Sequence, residues 1–130
     1  MAEATVLVVD DDAGFRAWVR AALELAGFRV VEGERGQDAL ALALRERPDV
    51  ILLDWRMPGQ SGIAVCRELR AQTDLASVRI AMITGLDDER DRTLARHAGA
   101  DAFLIKEGDP DMLARQVRRL LDVGSARVAP

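Results

Sequence analysis

The chain has 130 residues, enough for one domain that buries a core without disulfides or a structural metal. Hydrophobic residues make up 49% of it, which excludes a disordered chain, and its net charge of −4 argues against a general binder of nucleic acids or anionic membranes. The single cysteine excludes an internal disulfide, and no apolar stretch approaches the roughly 20 residues of a membrane span.

The first ten residues lack the basic segment that begins a secretory signal peptide. Together with the single cysteine, this predicts a cytoplasmic protein.

The first half of the chain predicts two strands and two helices. Residues 6–9 form an uninterrupted apolar run, typical of a strand covered on both faces of a parallel sheet. An amphipathic helix follows, with Asp12 as its N-cap and Gly27 after its last turn. Residues 28–31 predict a weaker strand at a sheet edge, and residues 37–47 predict a helix that stops before a proline.

The second half continues this alternation three more times. Residues 50–53, 80–83 and 102–105 predict buried strands. A helix beginning at Ser61 follows the first of them, and a polar helix at 87–97 follows the second.

The last helix has the clearest signals, because Asp109 is a good N-cap and Pro110 suits the first helical position. Five alternations of strand and helix predict an α/β fold, a doubly wound five-stranded parallel sheet with five helices on both faces.

Polar residues follow four of the apolar runs directly. Asp10 and Asp11 follow the first, Asp54 the run at 50–53, Thr84 the next, and Lys106 the last. In open parallel sheets the carboxyl ends of the strands form the usual binding edge, so these side chains are expected to converge.

This set of groups predicts phosphoryl chemistry at a metal. Clustered carboxylates repel one another, and Mg²⁺, which prefers oxygen ligands, relieves that repulsion. Asp11 and Asp54 are the predicted metal ligands, and Asp10 is predicted to orient metal-bound water. Asp54 is the candidate nucleophile, while Thr84 and Lys106 would contact phosphoryl oxygens.

Each of these residues also has a structural interpretation when taken alone. An aspartate after a strand can cap the next helix, and we assign that role to Asp12. Cys66 is interpreted as a small buried apolar residue and His97 as a surface residue.

The motifs VLVVDDD, VILLDWRMPGQSG, AMITG and DAFLIK resemble the receiver domains of bacterial response regulators in two-component signalling. The resemblance covers about residues 4–123 and implies a flavodoxin-like fold with strand order 2-1-3-4-5. We expect the receiver domain to occupy residues 1–123 and a flexible tail to occupy residues 124–130.

The resemblance implies a role for each matching residue. Asp54 would be the phosphoacceptor, Asp10 and Asp11 the acidic pair that binds Mg²⁺, and Arg56 would offer its backbone carbonyl to the metal. Thr84 would be the switch hydroxyl, Lys106 the phosphoryl-binding lysine, and Phe103 the switch aromatic.

The resemblance also implies partners. A sensor histidine kinase or histidine phosphotransfer protein would donate the phosphoryl group, and the face formed by helix 4, strand 5 and helix 5 would change to signal to a partner or output domain. The domain would catalyse only its own phosphoryl transfer and dephosphorylation and is therefore not an enzyme in the usual sense. It would bind neither nucleic acid nor membrane, and a homodimer through helices 4 and 5 is an expectation of the family.

One departure from the family pattern stands beside the lysine. Receiver domains usually carry a proline there after a cis peptide, whereas this chain has Glu107. Because a cis bond without proline costs about 3–4 kcal/mol, we expect a trans peptide.

Two other functions compete with this interpretation. Haloacid-dehalogenase-like phosphohydrolases also use a strand-end aspartate with a second one two residues later, which Asp10 and Asp12 would match, but that leaves Asp54 unexplained. A receiver-like module that binds proteins without phosphorylation is the other, and Glu107 keeps it open.

Overall fold

The computed structural model describes residues 3–122, so the tail expected at 124–130 lies outside the described residues. Within them, strands and α-helices alternate five times, with a short 3₁₀ helix before α2 and another before β4. The elements are β1 (Thr5–Val9), α1 (Ala13–Leu25), β2 (Arg29–Gly33), α2 (Ala39–Glu46), β3 (Val50–Asp54), α3 (Gly62–Arg70), β4 (Arg79–Thr84), α4 (Glu89–Ala98), β5 (Ala102–Ile105) and α5 (Pro110–Asp122).

The five strands form one sheet in the order β2-β1-β3-β4-β5, and every neighbouring pair is parallel. The predicted fold class and strand order are therefore confirmed. Parallel pairing aligns the carboxyl ends of β1, β3 and β4: Val9 pairs with Leu53, and Asp54 with Ile83. The residues that follow these strands consequently meet at one edge of the sheet.

Two apolar layers cover the sheet, because successive strand residues point to opposite faces. On one face, Leu7, Ile51 and Met82 pack with residues of α2, α3 and α4. On the other face, Val8 and Leu52 pack with residues of α1 and α5. The central strands β1 and β3 are buried at every position, as expected for strands covered by helices on both sides.

The structure corrects three details of the sequence prediction. The second strand begins and ends later than residues 28–31, and a 3₁₀ turn at Gly36–Asp38 replaces the predicted first turn of α2. β5 is only half-buried, although its sequence reads as a buried run, because it lies at the sheet edge with one strand neighbour. These differences depend on the position of each segment in the sheet.

The predicted helix caps agree with the structure. Asp12 accepts hydrogen bonds from the backbone N–H groups of Gly14 and Phe15, at 2.9 and 3.2 Å, and Ser61 caps α3. Asp109 accepts one from the Met112 N–H at 2.8 Å. Within residues 3–122, the helices are all too short or too polar to cross a bilayer.

Candidate functional site

The residues predicted to converge at the carboxyl edge of the sheet do so. Asp10, Asp54 and Thr84 are buried, Lys106 is half-buried, and Asp11 is exposed. One carboxylate oxygen from each of Asp10, Asp11 and Asp54 lies within 4.8 Å of the other two. Three negative groups are thus held at a spacing that a single cation can bridge.

The Lys106 ammonium partly balances this negative charge. Its Nζ lies 2.7 Å from Asp10 Oδ2 and 3.3 Å from Asp54 Oδ1. Burial lowers the pKa of Lys106, but the hydrogen bond to Asp10 and the charges of Asp10 and Asp54 outweigh burial and leave the pKa above its ordinary value. The lysine is therefore a fixed positive charge in the centre of the site.

Asp54 has an electrostatic environment that opposes its ionisation. Burial and the nearby charge of Asp10 raise the pKa of Asp54 to about 6, although Lys106 and the Arg56 N–H act in the opposite direction. The Arg56 N–H lies 3.4 Å from Asp54 Oδ1. A divalent cation or a phosphoryl group bound here would compensate this unfavourable charge.

The segment after Asp54 folds back against the end of β3, the strand that carries Asp54. The Trp55 N–H donates to the Ile83 carbonyl at 2.9 Å, and the Gly62 N–H donates to the Trp55 carbonyl at 3.0 Å. A Cβ at position 62 would collide with the Asp54 backbone carbonyl oxygen and come within 2.6 Å of the Met82 side chain. The final glycine of MPGQSG is therefore required where α3 begins against the back of Asp54.

The acidic pair is supported by a residue that the sequence analysis missed. The Arg16 guanidinium donates to the Asp10 backbone carbonyl at 2.7 Å and forms an ion pair with Glu32 at 2.9 Å. The Asp12 N–H donates to Asp10 Oδ1 at 2.9 Å. Arg16 is a buried residue in the first turn of α1, and these partners compensate the cost of burying its guanidinium. The sequence carried no signal for this role, because the partner Glu32 lies 16 residues away.

The two predicted switch residues lie on neighbouring strands. Thr84 Oγ1 accepts a hydrogen bond from the Leu86 N–H at 3.3 Å. The Phe103 ring is half-buried and packs edge-on against Trp55, with the ring centroids 5.9 Å apart. Arg92 of α4 covers the Phe103 ring at 5.0 Å, a contact that the sequence did not reveal.

The backbone around Lys106 has the trans peptide bond that we expected from Glu107 in place of proline. Every peptide bond in residues 3–122 is trans, including the bond between Lys106 and Glu107. The Lys106 N–H donates to the Thr84 carbonyl at 2.7 Å and extends the pairing of β5 with β4. Glu107 is exposed, as is His97, while Cys66 is buried among apolar side chains as predicted.

The donor set fits a magnesium ion. Mg²⁺ takes oxygen ligands, keeps several waters and is commonly held by one or two carboxylates. The Asp10, Asp11 and Asp54 carboxylates provide those oxygens, and the buried negative charge favours a hard cation.

The sequence profile of the response regulator receiver domain matches residues 6–118 of this chain. The chain is 36% identical over 117 residues to the phosphate regulon transcriptional regulatory protein PhoB of Pseudomonas aeruginosa, a match that covers 90% of this chain and 51% of PhoB. It is 33% identical to protein PilH of the same organism, over 91% of this chain and 98% of PilH.

A solved structure is also similar to this chain. The chemotaxis protein CheY4 of Vibrio cholerae superposes with a TM-score of 0.88 at 32% identity, covering 92% of this chain and 99% of CheY4. The chain spans about half the length of most of the first curated relatives that it matches. The matched profile, the strand order and the residues at the carboxyl edge agree, and the chain belongs to the response regulator receiver domain family of two-component signalling systems.

Proposed function

We propose that this chain receives a phosphoryl group on Asp54 and transmits that event to a partner. The observation that carries the proposal is the convergence of three carboxylates and one lysine, with Lys106 Nζ within 3.3 Å of both Asp10 and Asp54. A carboxylate nucleophile with a fixed cation beside it suits phosphoryl transfer, which depends on positioning and on charge neutralisation.

Asp10, Asp11, Asp54 and the backbone carbonyl of Arg56 would hold Mg²⁺. When bound, the ion neutralises the negative charge that gathers between Asp54 and the incoming phosphoryl oxygens.

An oxygen of the Asp54 carboxylate forms the new bond to phosphorus as the phosphorus–nitrogen bond of a phosphohistidine breaks. The imidazole leaves as a neutral group after taking up a proton. The donor is a sensor histidine kinase or a histidine phosphotransfer protein. Lys106 places its charge on one phosphoryl oxygen, and the Thr84 hydroxyl donates to another once it turns from the Leu86 N–H.

The signal would leave through Phe103 and the face formed by α4, β5 and α5. Drawing Thr84 toward the phosphoryl group opens space beside β4, and the half-buried Phe103 ring between Trp55 and Arg92 is placed to respond. A charge added at Asp54 thereby changes how the Phe103 ring packs against its neighbours. The recipient is an output domain or a separate protein.

The proposal is tested with beryllofluoride, which mimics a phosphoryl group on an aspartate. Trp55 adjoins Asp54, so its fluorescence in a Trp18→Phe background reports the site. We expect a saturable change with Mg²⁺ and a second change with beryllofluoride that Asp54→Asn abolishes and Asp111→Asn, an exposed control, retains.

Intact mass after incubation with acetyl phosphate provides an independent readout. One phosphoryl adduct is expected in the wild type and none in Asp54→Asn. Absence of both the second fluorescence change and the adduct in the wild type would contradict the proposal and favour a module that binds proteins without phosphorylation. The phosphohydrolase alternative loses its basis, because the matching family is the receiver family and Asp12 is engaged as a helix cap.

A further inference from the structure

The face of an aromatic ring lies against the ammonium group at the centre of the site. Lys106 Nζ is 4.5 Å from the centroid of the Phe15 ring, within the range of an attractive cation–π contact. Phe15 belongs to α1, and none of the roles assigned above to the acidic pair, the acceptor or the switch residues includes it. Three elements therefore hold this one ammonium group: the end of β1, the end of β3 and the first turn of α1.

The position of Phe15 is itself well determined. Its N–H donates to the Asp12 cap at 3.2 Å, and its ring stacks on Trp18 with centroids 5.9 Å apart and planes inclined by 25°. The next residue, Arg16, is tied to the Asp10 carbonyl at 2.7 Å. The ring therefore keeps a fixed distance from the strand end that carries the acidic pair.

A cation bound at the site would affect the three contacts of the ammonium group differently. Asp10 and Asp54 both attract Lys106 in the metal-free protein, at 2.7 and 3.3 Å. A cation bound to the same carboxylates competes for that attraction, so the lysine loses part of its hold on them. The ring is uncharged and binds no metal, so a bound cation does not compete for its contact with the ammonium group.

The side chain of Lys106 needs such a contact. A lysine has a flexible four-carbon stem and behaves as a mobile point charge, in contrast to the rigid fork of an arginine. The Lys106 N–H bonds to the Thr84 carbonyl, which fixes the backbone and not the side chain, and Glu107 after it is exposed. Without a further constraint, a lysine released by its carboxylates would extend into solvent.

We infer that Phe15 is a positioning residue that keeps the Lys106 ammonium over the acceptor site while the lysine exchanges its carboxylate partners for a phosphoryl oxygen. The binding of Lys106 to a phosphoryl oxygen, the second step of that exchange, rests on the proposed function. The contact between ring and ammonium does not depend on it.

The first measurement tests the contact in the metal-free protein. Lys106 is the only lysine in the chain, so isotopically labelled lysine gives one set of side-chain NMR signals. The ring current of Phe15 should move the signals of the Lys106 ε-methylene protons upfield. Phe15→Tyr, which keeps the ring, should retain that shift, and Phe15→Leu should remove it.

The second measurement tests positioning, by calorimetric titration of beryllofluoride at saturating Mg²⁺. Loss of a partly desolvated cation–π contact is expected to weaken binding by about 3- to 30-fold in Phe15→Leu, with Phe15→Tyr close to the wild type. Phe28→Leu is the matched control, because Phe28 carries Arg118 over its ring at 5.6 Å near the amino ends of the strands, remote from Asp54. That variant should bind beryllofluoride like the wild type.

The outcomes separate the inference from the proposed function. Lysine signals that are the same in Phe15→Leu and in the wild type would overturn the inference, whatever the acceptor chemistry. Loss of the shift with unchanged beryllofluoride affinity would overturn the positioning role, as would equal weakening in Phe28→Leu. A wild type that binds no beryllofluoride but shows the ring-current shift would contradict the proposed function and, with it, the positioning role.

Discussion

The properties of Asp54 follow from its burial next to another carboxylate. Burial and the charge of Asp10 raise the pKa of Asp54 to about 6 in the folded protein, above the pKa of an aspartate in an unfolded chain. A group whose pKa is raised by folding binds its proton more tightly in the folded state. Its contribution favours the fold below the unfolded pKa and is lost as the pH rises through about 6.

Replacing Asp54 by asparagine should therefore stabilise the metal-free protein in a pH-dependent way. At pH values well above 6 we expect Asp54→Asn to raise the free energy of unfolding by about 1–3 kcal/mol, because it removes a buried charge. The gain should shrink as the pH falls through 6 and vanish near the unfolded pKa of about 4. Urea unfolding in the presence of a chelator, over this pH range, measures the effect.

A matched exposed substitution separates this effect from general charge removal. Asp111→Asn on the surface of α5 should change the unfolding free energy little at any of these pH values. An Asp54→Asn gain that is the same near pH 4.5 as at pH 8 would show that ionisation of Asp54 is not its cause.

At the scale of elements, Arg70 connects α3 to the turn that leads into β5. Its guanidinium donates to the backbone carbonyls of Gly99 and Val78, at 2.8 and 2.7 Å, and lies 2.7 Å from the Asp101 carboxylate. Asp101 in turn accepts a hydrogen bond from the Ile80 N–H at 2.9 Å at the start of β4. The Arg70–Asp101 ion pair, which is largely buried, therefore joins α3, the start of β4 and the turn before β5.

Arg70→Met should destabilise the protein substantially. The substitution keeps the apolar part of the side chain but leaves carbonyls and a largely buried carboxylate without this donor, so a loss of about 3–5 kcal/mol is expected. Chemical denaturation measures the loss. Arg67→Met, at an exposed position of the same helix, is the control and should stay within about 0.5 kcal/mol of the wild type. A similar small change in both variants would show that the ion pair contributes little.

Comparison of sequence and structure shows which parts of this fold are encoded locally. The caps Asp12, Ser61 and Asp109 each contact a backbone N–H two or three residues away, and their residue types alone predicted the helix starts. The convergence of Asp10, Asp54 and Lys106 was also predictable, because each directly follows an apolar run and parallel strands align their carboxyl ends.

Other parts of the site depend on partners far away along the chain. Arg70 and Asp101 are 31 residues apart, and Arg16 reaches a glutamate 16 residues later. The ring contacts of Lys106 with Phe15 and of Phe103 with Arg92 likewise depend on how helices pack on the sheet. Helix propensity and periodicity carry no information on such pairs. The sequence therefore predicted the carboxylates and the lysine of the site, but not the side chains that position them.

At the scale of the whole molecule, the site links metal binding to stability. The folded state gathers three carboxylates within 4.8 Å of one another, and an unfolded chain has no such cluster. A cation that binds only the folded state stabilises it by mass action, by about 2.7 kcal/mol when the free cation exceeds its dissociation constant 100-fold. Thermal unfolding should therefore report Mg²⁺ binding without any phosphoryl donor.

We expect the midpoint of thermal unfolding to rise by roughly 10 °C between chelator and saturating Mg²⁺. Asp11→Asn should abolish most of this rise, because it removes a ligand oxygen from the cluster. Since Asp11 is exposed, the same variant should unfold close to the wild type in chelator. Sodium chloride at matched ionic strength controls for screening of the net charge of −4. An equal rise in Asp11→Asn, or an equal rise with sodium chloride, would mean that the acidic cluster is not the metal site.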